Sequence, residues 1–372
     1  MDYTAPPPPG STPAFYPPIP PPPAKPRRSR GWMIAAIVLL LLLGISLLLN
    51  VGQFVGSLAT MSPSPQRSAG PRLEEVTLEN HDSRNKIAVV PVEGIIFGSP
   101  ADGSGHSLVD VVKAQLRRAA KDTRVKAVVL KVDSPGGEVL ASDEIADAIR
   151  EFQDESGKPV VASLGNLAAS GGYYISAPCR WIVAHELTIT GSIGVIISAL
   201  NYRGLMDKVG LEPTVYKSGQ FKDMLSGARK PGDVTDEERR MIQSLITETY
   251  SKFTNVVATG RQAAHEENAT AGRQLAADWD HYADGRVFSG KDAFKLGFVD
   301  ELGNFQTAIR RARELAGLRT ANVVEYRRFT DLSDILRLFG ETESRTLKVD
   351  LGWQPVQLQA GQPYFLSPLH LP

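Results

Sequence analysis

Residues 125–152, VKAVVLKVDSPGGEVLASDEIADAIREF, place a strand, a glycine turn and a helix in direct succession. Six of the first eight residues are apolar and four of these are valine, as expected of a strand. Asp133-Ser134-Pro135-Gly136-Gly137 ends this strand, and residues 138–152 then have helical spacing. A strand followed by a helix is the unit from which parallel sheets are built.

The same alternation continues on both sides of this segment. We expect strands at 87–92, 125–132, 160–164, 181–184 and 213–216, and helices at 108–120, 138–152, 168–176, 237–260 and 304–316. Repeated strand–helix units of this kind predict an α/β domain with a largely parallel sheet covered by helices. From residue 327 the pattern weakens: residues 332–339 have the spacing of a short helix, and the Gln- and Pro-rich end of the chain indicates a loosely ordered tail.

The composition excludes some classes of function. The 372 residues carry 41 basic and 41 acidic side chains, so no overall positive charge favours nucleic-acid binding. Cys179 is the one cysteine, which excludes an intramolecular disulfide and a four-cysteine zinc site. We expect no cofactor and no metal.

The N-terminal segment has the features of a membrane anchor. Twelve prolines lie within residues 1–26, which predicts a disordered tail over residues 1–31 that ends in a basic flank. Residues 32–55 are almost continuously apolar, and ~20 such residues suffice for a helix to cross the hydrocarbon core. A cleavable signal peptide is the rival interpretation, but residues 57–59 (SLA) make a poor cleavage site. The basic flank predicts a cytoplasmic N-terminus and an extracytoplasmic domain after a linker at 56–85.

Two glycine turns that follow strands are candidate sites for chemistry. The first is residues 133–137 (DSPGG) and the second is residues 168–172 (AASGG). A serine at a strand-to-helix turn can expose its hydroxyl, and the next backbone amide can point at an oxyanion. Taken alone, each turn is more often a chain reversal or a helix start.

A nucleophilic serine needs a base, and the residues alone leave its identity open. His185 follows a predicted strand but is typical of a surface histidine. A lysine can serve instead if its neutral amine is accessible, and Lys217 and Lys222 both lie in YKSGQFKD (216–223). Each is, in isolation, most simply interpreted as a surface lysine.

Six motifs in order resemble the signal peptide peptidase A family (peptidase family S49), in its short single-domain form. They are DSPGG (133–137), AASGGYYIS (168–176), TGSIGV (190–195), KSGQFKD (217–223), ADGRVFSG (283–290) and LGFVDELG (296–303). The resemblance covers about residues 86–326, which we take as the peptidase domain, with 327–372 as a C-terminal tail. It implies a ββα-spiral fold like that of Clp proteases and crotonases, which assembles into oligomeric rings or domes.

The resemblance also implies roles for individual residues. Ser170 matches the nucleophile, Lys222 the general base and Ser192 the serine that orients the lysine. Gly137 and Gly171 match the glycines whose amides form the oxyanion hole. The implied enzyme is a membrane-anchored Ser/Lys endopeptidase that acts on hydrophobic peptides such as cleaved signal peptides. It is expected to form a homo-oligomer in which the lysine can come from a neighbouring subunit.

Two other classes compete with this reading. A crotonase-like acyl-CoA enzyme would use glycine amides in the same way, but it has no use for a paired Ser170 and Lys222. A non-enzymatic membrane scaffold on a protease fold is the second class, and the presence of both Ser170 and Lys222 argues against it. A related membrane protease with another substrate is the harder alternative to dismiss. The expected partners are therefore peptides, membrane lipid at residues 32–55 and further copies of the chain, with no nucleic acid.

Overall fold

The computed structural model describes residues 31–61, 70–100, 106–328 and 364–366. The chain divides into two compact units, residues 1–68 and residues 69–372. In the first unit, helix α1 spans Gly31–Met61. Its segment Met33–Val51 has a mean hydropathy of 2.8, so by length and composition it can cross a membrane. Residues 1–30 of the predicted proline-rich tail (1–31) lie outside the described residues.

The second unit is built on strands and helices that alternate along the chain. The strands are β1 (Leu73–Glu79), β2 (Lys86–Glu93), β3 (Val125–Ser134), β4 (Gly136–Glu138), β5 (Val160–Ala169), β6 (Trp181–Ala184), β7 (Ile189–Gly191), β8 (Val287–Ser289), β9 (Glu301–Leu302), β10 (Asn322–Arg328) and β11 (Tyr364–Leu366). The helices are α2 (Leu108–Lys121), α3 (Val139–Ser156), α4 (Gly171–Ser176), α5 (Arg203–Lys208), α6 (Asp236–Asn268), α7 (Gly290–Lys295) and α8 (Phe305–Leu315).

The main sheet is largely parallel, as the alternation predicts. Its strand order within the described residues is β1-β10-β2-β3-β5-β6-β9, with β7 and β8 continuing from β5. The pairs from β10 to β9 along this order are parallel, whereas β1 on β10 and β8 on β7 are antiparallel. The successive elements β3–β4–α3 form a strand–strand–helix unit of the predicted kind. The α/β fold prediction is therefore confirmed.

The sheet is covered on both faces, which is why its central strands are mostly apolar. In β2, Ala88, Val90 and Val92 face a core that includes α2, α3 and α4. Ile87 and Val89 face the opposite way and pack with α8. A strand buried on both faces has no polar side, so its sequence is a nearly continuous apolar run.

The carboxyl ends of the central strands bring the two glycine turns together. Ser134 at the end of β3 pairs with Ala168 near the end of β5. Ala169 in turn pairs with Gly191 of β7. The DSPGG, AASGG and TGSIGV motifs therefore meet at one edge of the sheet, where parallel strands place the residues that follow them.

The structure differs from the sequence predictions at three places. Strand β1 lies inside the segment that was expected to be a linker, because its charged sequence LEEVTLE pairs at the sheet edge with β10. The strand predicted at 213–216 is wrong: the segment pairs with no other described strand, and Tyr216 is 93% exposed. Residues 364–366, expected in a loose tail, form strand β11, whereas residues 332–339 lie outside the described residues.

A buried ion pair ties the long helix α6 to the chain segment before β9. Arg261 and Asp300 are both almost fully buried, and the guanidinium Nη2 lies 2.5 Å from a carboxylate oxygen. Arg261 also donates to the carbonyl of Cys179, while Asp300 accepts from the amide of Ile182. Both charges thus have several partners, which is the condition under which burial of an ion pair is tolerated.

Replacing Asp300 by alanine should reduce the free energy of unfolding by about 3–5 kcal/mol, because Arg261 would keep a buried charge without its partner. The measurement is urea denaturation of the full chain in detergent, with tryptophan fluorescence as the readout. Glu93→Ala is the control, since Glu93 pairs with Lys131 on the surface. A loss for Asp300→Ala no larger than that of the control would contradict the role assigned to this pair.

Candidate functional site

Ser170 occupies a strained position at the junction of β5 and α4. Its backbone angles are φ 55° and ψ −118°, although it is not a glycine. Such a conformation costs on the order of 1–3 kcal/mol and persists only where the surroundings impose it. It resembles the sharp turns that expose a nucleophilic serine between a strand and a helix.

The surroundings of Ser170 fix this turn from both sides. The amide of Ser170 donates to the carbonyl of Gly191 at 2.8 Å, and its carbonyl accepts from the amide of Tyr174 at 2.8 Å. All six residues of α4 are buried. The hydroxyl of Tyr174 donates to Asp143 of α3 at 2.6 Å, and that of Tyr173 donates to the carbonyl of Phe298 at 2.9 Å. The short helix behind Ser170 is thereby held to three neighbouring segments.

Gly137 and Gly171 lie against each other beside this serine. A Cβ atom on Gly171 would lie 3.1 Å from the amide nitrogen of Gly137 and 2.7 Å from the hydroxyl oxygen of Ser142. A Cβ atom on Gly137 would lie 2.0 Å from the carbonyl oxygen of Ile96. A side chain at Gly171 would therefore push against the backbone of Gly136 and Gly137, and one at Gly137 would displace the backbone of Ile96. The closeness brings together two amides of the kind that can bind an oxyanion.

Ser192 stands next to Ser170 at the end of the neighbouring strand. It follows Gly191, whose carbonyl binds the Ser170 amide, and it too has a positive φ of 52°. Its own amide donates to the carbonyl of Arg286 at 2.7 Å, and its residue surface is 4% exposed. Two serines with left-handed backbones thus adjoin each other at the ends of β5 and β7.

The hydroxyl of Ser170 is buried and has no hydrogen-bond partner among the described residues. Leaving a buried hydroxyl without a partner costs about 1–3 kcal/mol, and such groups in folded proteins call for an explanation. A nucleophile that awaits a base and a substrate is one such explanation. No candidate base is therefore hydrogen-bonded to Ser170 within the described part of this chain.

The two candidate lysines differ sharply in their surroundings. The amine of Lys217 donates to a carboxylate oxygen of Asp223 at 2.7 Å and to the carbonyl of Gln220 at 3.0 Å. Lys222 is exposed, and none of the hydrogen bonds or ion pairs within the described residues involves its amine. Lys217 therefore stabilises its own loop, whereas the amine of Lys222 has no partner within the described residues.

His185 lies on the surface after β6. Its side chain accepts from the amide of Leu187 at 3.2 Å, and the residue is exposed. It makes no hydrogen bond to Ser170, whose hydroxyl has none in the described chain. Cys179, the other nucleophilic side chain nearby in sequence, is fully buried, and this burial raises the pKa of its thiol. Neither residue is suited to the chemistry of this site.

An extended segment of the chain pairs with the strand that carries Gly137. Strand β11 runs antiparallel to β4, with Phe365 opposite Gly137 and Leu366 opposite Gly136. Sequence reasoning missed this feature because residues 364–366 are short and lie among prolines and glutamines. The apolar triplet YFL is the one signal that could have indicated a strand.

Most of the chain is similar in sequence to known proteins. The family model described as "Peptidase family S49" matches residues 152–319. A protein of Enterococcus faecium that carries the provisional name signal peptide peptidase SppA is 38% identical over 265 residues, which are 69% of this chain and 72% of that protein. A protein of Synechocystis provisionally named as a protease is 36% identical over 293 residues, which are 76% of this chain and 96% of that one. Protease 4 of Haemophilus influenzae is 35% identical over 248 residues, 67% of this chain and 38% of its own.

Proposed function

The chain belongs to peptidase family S49, and on that premise we propose that it is a membrane-anchored endopeptidase with Ser170 as nucleophile and Lys222 as general base. Its proposed substrates are hydrophobic peptides, such as signal peptides after their release from precursor proteins. Membership of this family makes the chain a hydrolase of the serine protease type. The assignment of the dyad, the substrates and the anchor goes beyond what family membership gives.

The observation that carries the proposal is the pairing of β11 with β4. An extended peptide can bind by adding a strand to an exposed sheet edge, with main-chain hydrogen bonds supplying affinity. The register places residues 364–366 alongside Gly136, Gly137 and Glu138. The edge that accepts this segment is also the edge that presents one of the two proposed oxyanion glycines. A peptide bound there would run past Ser170.

The proposed acylation step needs the serine, the lysine and the two glycines. Ser170 Oγ attacks the carbonyl carbon of the scissile peptide bond while Lys222 Nζ accepts the hydroxyl proton. The carbonyl electrons move onto oxygen, and the amides of Gly137 and Gly171 stabilise that charge. When the tetrahedral intermediate collapses, the C–N bond breaks and the lysine returns the proton to the leaving amine.

Deacylation repeats these steps with water as the nucleophile. Lys222 accepts a proton from water, the hydroxide attacks the acyl carbon, and the ester bond to Ser170 breaks as the proton returns to its oxygen. Ser192, which lies beside Ser170, is proposed to accept or donate a hydrogen bond that orients the lysine amine.

Because an ordinary lysine is almost wholly protonated at neutral pH, activity should rise towards alkaline pH.

We further infer that Lys222 acts on Ser170 of a neighbouring copy. The buried serine hydroxyl has no partner in the described part of its own chain, and Lys222 is exposed. The segment around the lysine also exposes large apolar side chains, among them Leu200 at 81% and Tyr216 at 93%, together with Leu205, Val209, Leu211 and Val215. A surface of this kind is typical of a contact with another protein, and a second copy would complete the site.

The apolar helix α1 supports the choice of substrate class. An anchor at residues 33–51 would concentrate the enzyme at a membrane, where apolar peptides partition. The basic residues before this helix favour a cytoplasmic N-terminus and an extracytoplasmic peptidase domain. Signal peptides left in a bilayer after cleavage are peptides of this chemistry.

The first test is hydrolysis of a quenched fluorescent apolar peptide by the full chain in detergent. Ser170→Ala and Lys222→Ala should each lower kcat by at least about 10³-fold, since each removes a group that the acylation step needs. Lys217→Ala is the matched control and should keep most of the activity, because Asp223 still has Arg229 as a partner when Lys217 is removed. The activity of wild type should rise from pH 7 to pH 10.

Two results would contradict the proposal. A wild-type chain as inactive as Ser170→Ala on apolar peptides, while it forms intact oligomers, would favour a scaffold on a protease fold. Equal losses for Lys217→Ala and Lys222→Ala would remove the distinction between the two lysines. Size-exclusion chromatography of every variant separates lost chemistry from lost assembly.

The second test concerns the segment that pairs with β4. Deletion of residues 364–372 should lower KM for a peptide supplied in trans by on the order of tenfold, because an intramolecular competitor acts at millimolar effective concentration. Deletion of residues 367–372 retains β11 and is the control. An unchanged KM after the longer deletion would show that peptides bind elsewhere.

A further inference from the structure

The loop that carries Lys222 has few attachments to the rest of the unit. Within the described residues, the amide of Lys222 donates to the carbonyl of Gly219 at 3.2 Å, which closes a turn inside the loop. Further along, the amide of Tyr202 donates to the carbonyl of Gly227, and the Asn201 side chain donates to that of Arg229. These contacts join the loop to residues 201–202, which are themselves exposed. None of them fixes the loop to the core.

A run of charged side chains supplies the missing attachment. The amine of Lys217 lies 2.7 Å from Asp223, the residue directly after Lys222, and Arg229 lies 3.5 Å from the same carboxylate. Arg229 then forms a fork on Glu238, with contacts of 2.5 Å and 3.3 Å to its two oxygens. We call Asp223, Arg229 and Glu238 the ion-pair chain.

Glu238 anchors this chain at the start of α6. The residue is 1% exposed, and its carboxylate also accepts from the amide of Thr235 at 2.8 Å. The amide of Glu238 donates to the Thr235 hydroxyl at 3.2 Å, which completes a capping box on the helix. Further along α6, Phe253, Val256 and Val257 are buried in the core. The charges therefore connect the lysine loop to a helix that is itself firmly packed.

We propose that the ion-pair chain positions Lys222 for catalysis, with Asp223, Arg229 and Glu238 as positioning residues. This inference rests on the proposed function, in which Lys222 is the general base. The fork of Arg229 on Glu238 restricts both distance and orientation, as paired guanidinium–carboxylate contacts do. Asp223 contacts Arg229 through its carboxylate and directly follows Lys222, so the constraint reaches the lysine through one peptide bond.

The charges of this chain persist over the pH range in which a lysine base works. The guanidinium of Arg229, followed by the amide of Thr235, holds the pKa of Glu238 low, at about 2. The hydrogen bond from Lys217 lowers the pKa of Asp223. Because these folded-state values lie below the ordinary ones, the stabilisation is complete above about pH 4.5 and is lost as the pH falls towards 2. Both carboxylates of the ion-pair chain therefore stay ionised at neutral and alkaline pH.

The test compares Glu238→Gln with Glu237→Gln in the full chain in detergent. Glu237 precedes Glu238 in the same turn, is exposed and has no ion pair within the described residues. Glu238→Gln should lower kcat by about 10- to 100-fold, the effect of displacing a catalytic group by roughly 1 Å, with KM within about twofold of wild type. Glu237→Gln should match wild type in both constants.

Two further measurements separate positioning from loss of structure. Arg229→Lys, which keeps the charge but loses the fork, should retain more activity than Arg229→Gln. The alkaline rise of kcat should shift in midpoint for Glu238→Gln relative to Glu237→Gln, because a displaced lysine experiences a different environment. A loss that merely reflected fewer folded assemblies would lower kcat without moving this midpoint.

Asp223→Asn is the second variant in case Glu238→Gln does not assemble, since it breaks the chain at the end that is farther from helix α6. Suppose that wild type is active and that each of these two variants that assembles keeps the wild-type kcat and pH profile. The ion-pair chain then has no positioning role, and the inference is overturned. If wild type itself is inactive although assembled, the proposed function fails, and this inference fails with it.

Discussion

The left-handed backbone of Ser170 is the constraint on which the rest of the site depends. A non-glycine residue in this conformation is held there by its neighbours: the Gly191 carbonyl binds its amide, and the Tyr174 amide binds its carbonyl. Those two contacts need β7 beside β5 and a helix that starts at Gly171. The sheet order, the buried helix α4 and the close approach of Gly137 can all be understood as the frame that keeps this one turn in place.

The frame is rigid at Ser170 and open at Lys222, the proposed base. Ser170 lies at the end of central strands that are buried on both faces, whereas Lys222 lies on an exposed loop with large apolar neighbours. Rigid elements position reacting groups better than loops do, so a loop that carries a general base needs its own support. The fork of Arg229 on Glu238 can give that support inside one chain, and contact with a second copy can complete it.

The sequence predicts the fold where its signals are physical and continuous. Apolar runs such as residues 125–132 and 160–164 predict buried parallel strands, and the structure contains them with longer bounds. It does not predict β1, because LEEVTLE alternates too weakly, nor β11, whose three residues stand in a proline-rich setting. Residues 213–216 have the composition of a strand but pair with no other described segment, and the side chains of Val215 and Tyr216 are exposed.

The candidate site was accessible from sequence only in part. A serine before two glycines indicates a nucleophile turn, but the positive φ of Ser170 and the contact between Gly137 and Gly171 arise from tertiary packing. Residue chemistry alone does not separate Lys217 from Lys222, and the choice came from family resemblance. The structure supplies a physical distinction, because Asp223 occupies the amine of Lys217 and leaves that of Lys222 free within the described chain.

The central claim is that Ser170 and Lys222 act together from different copies of the chain, and mixed assembly tests it most directly. Ser170→Ala and Lys222→Ala chains with different affinity tags are co-expressed, and assemblies that contain both are purified through the two tags. Neither variant is active alone, but random mixing should restore about one quarter of wild-type activity, since half the subunits keep the serine and half their neighbours keep the lysine. Mixed assemblies that remain as inactive as either parent would contradict the claim and place the dyad within a single chain.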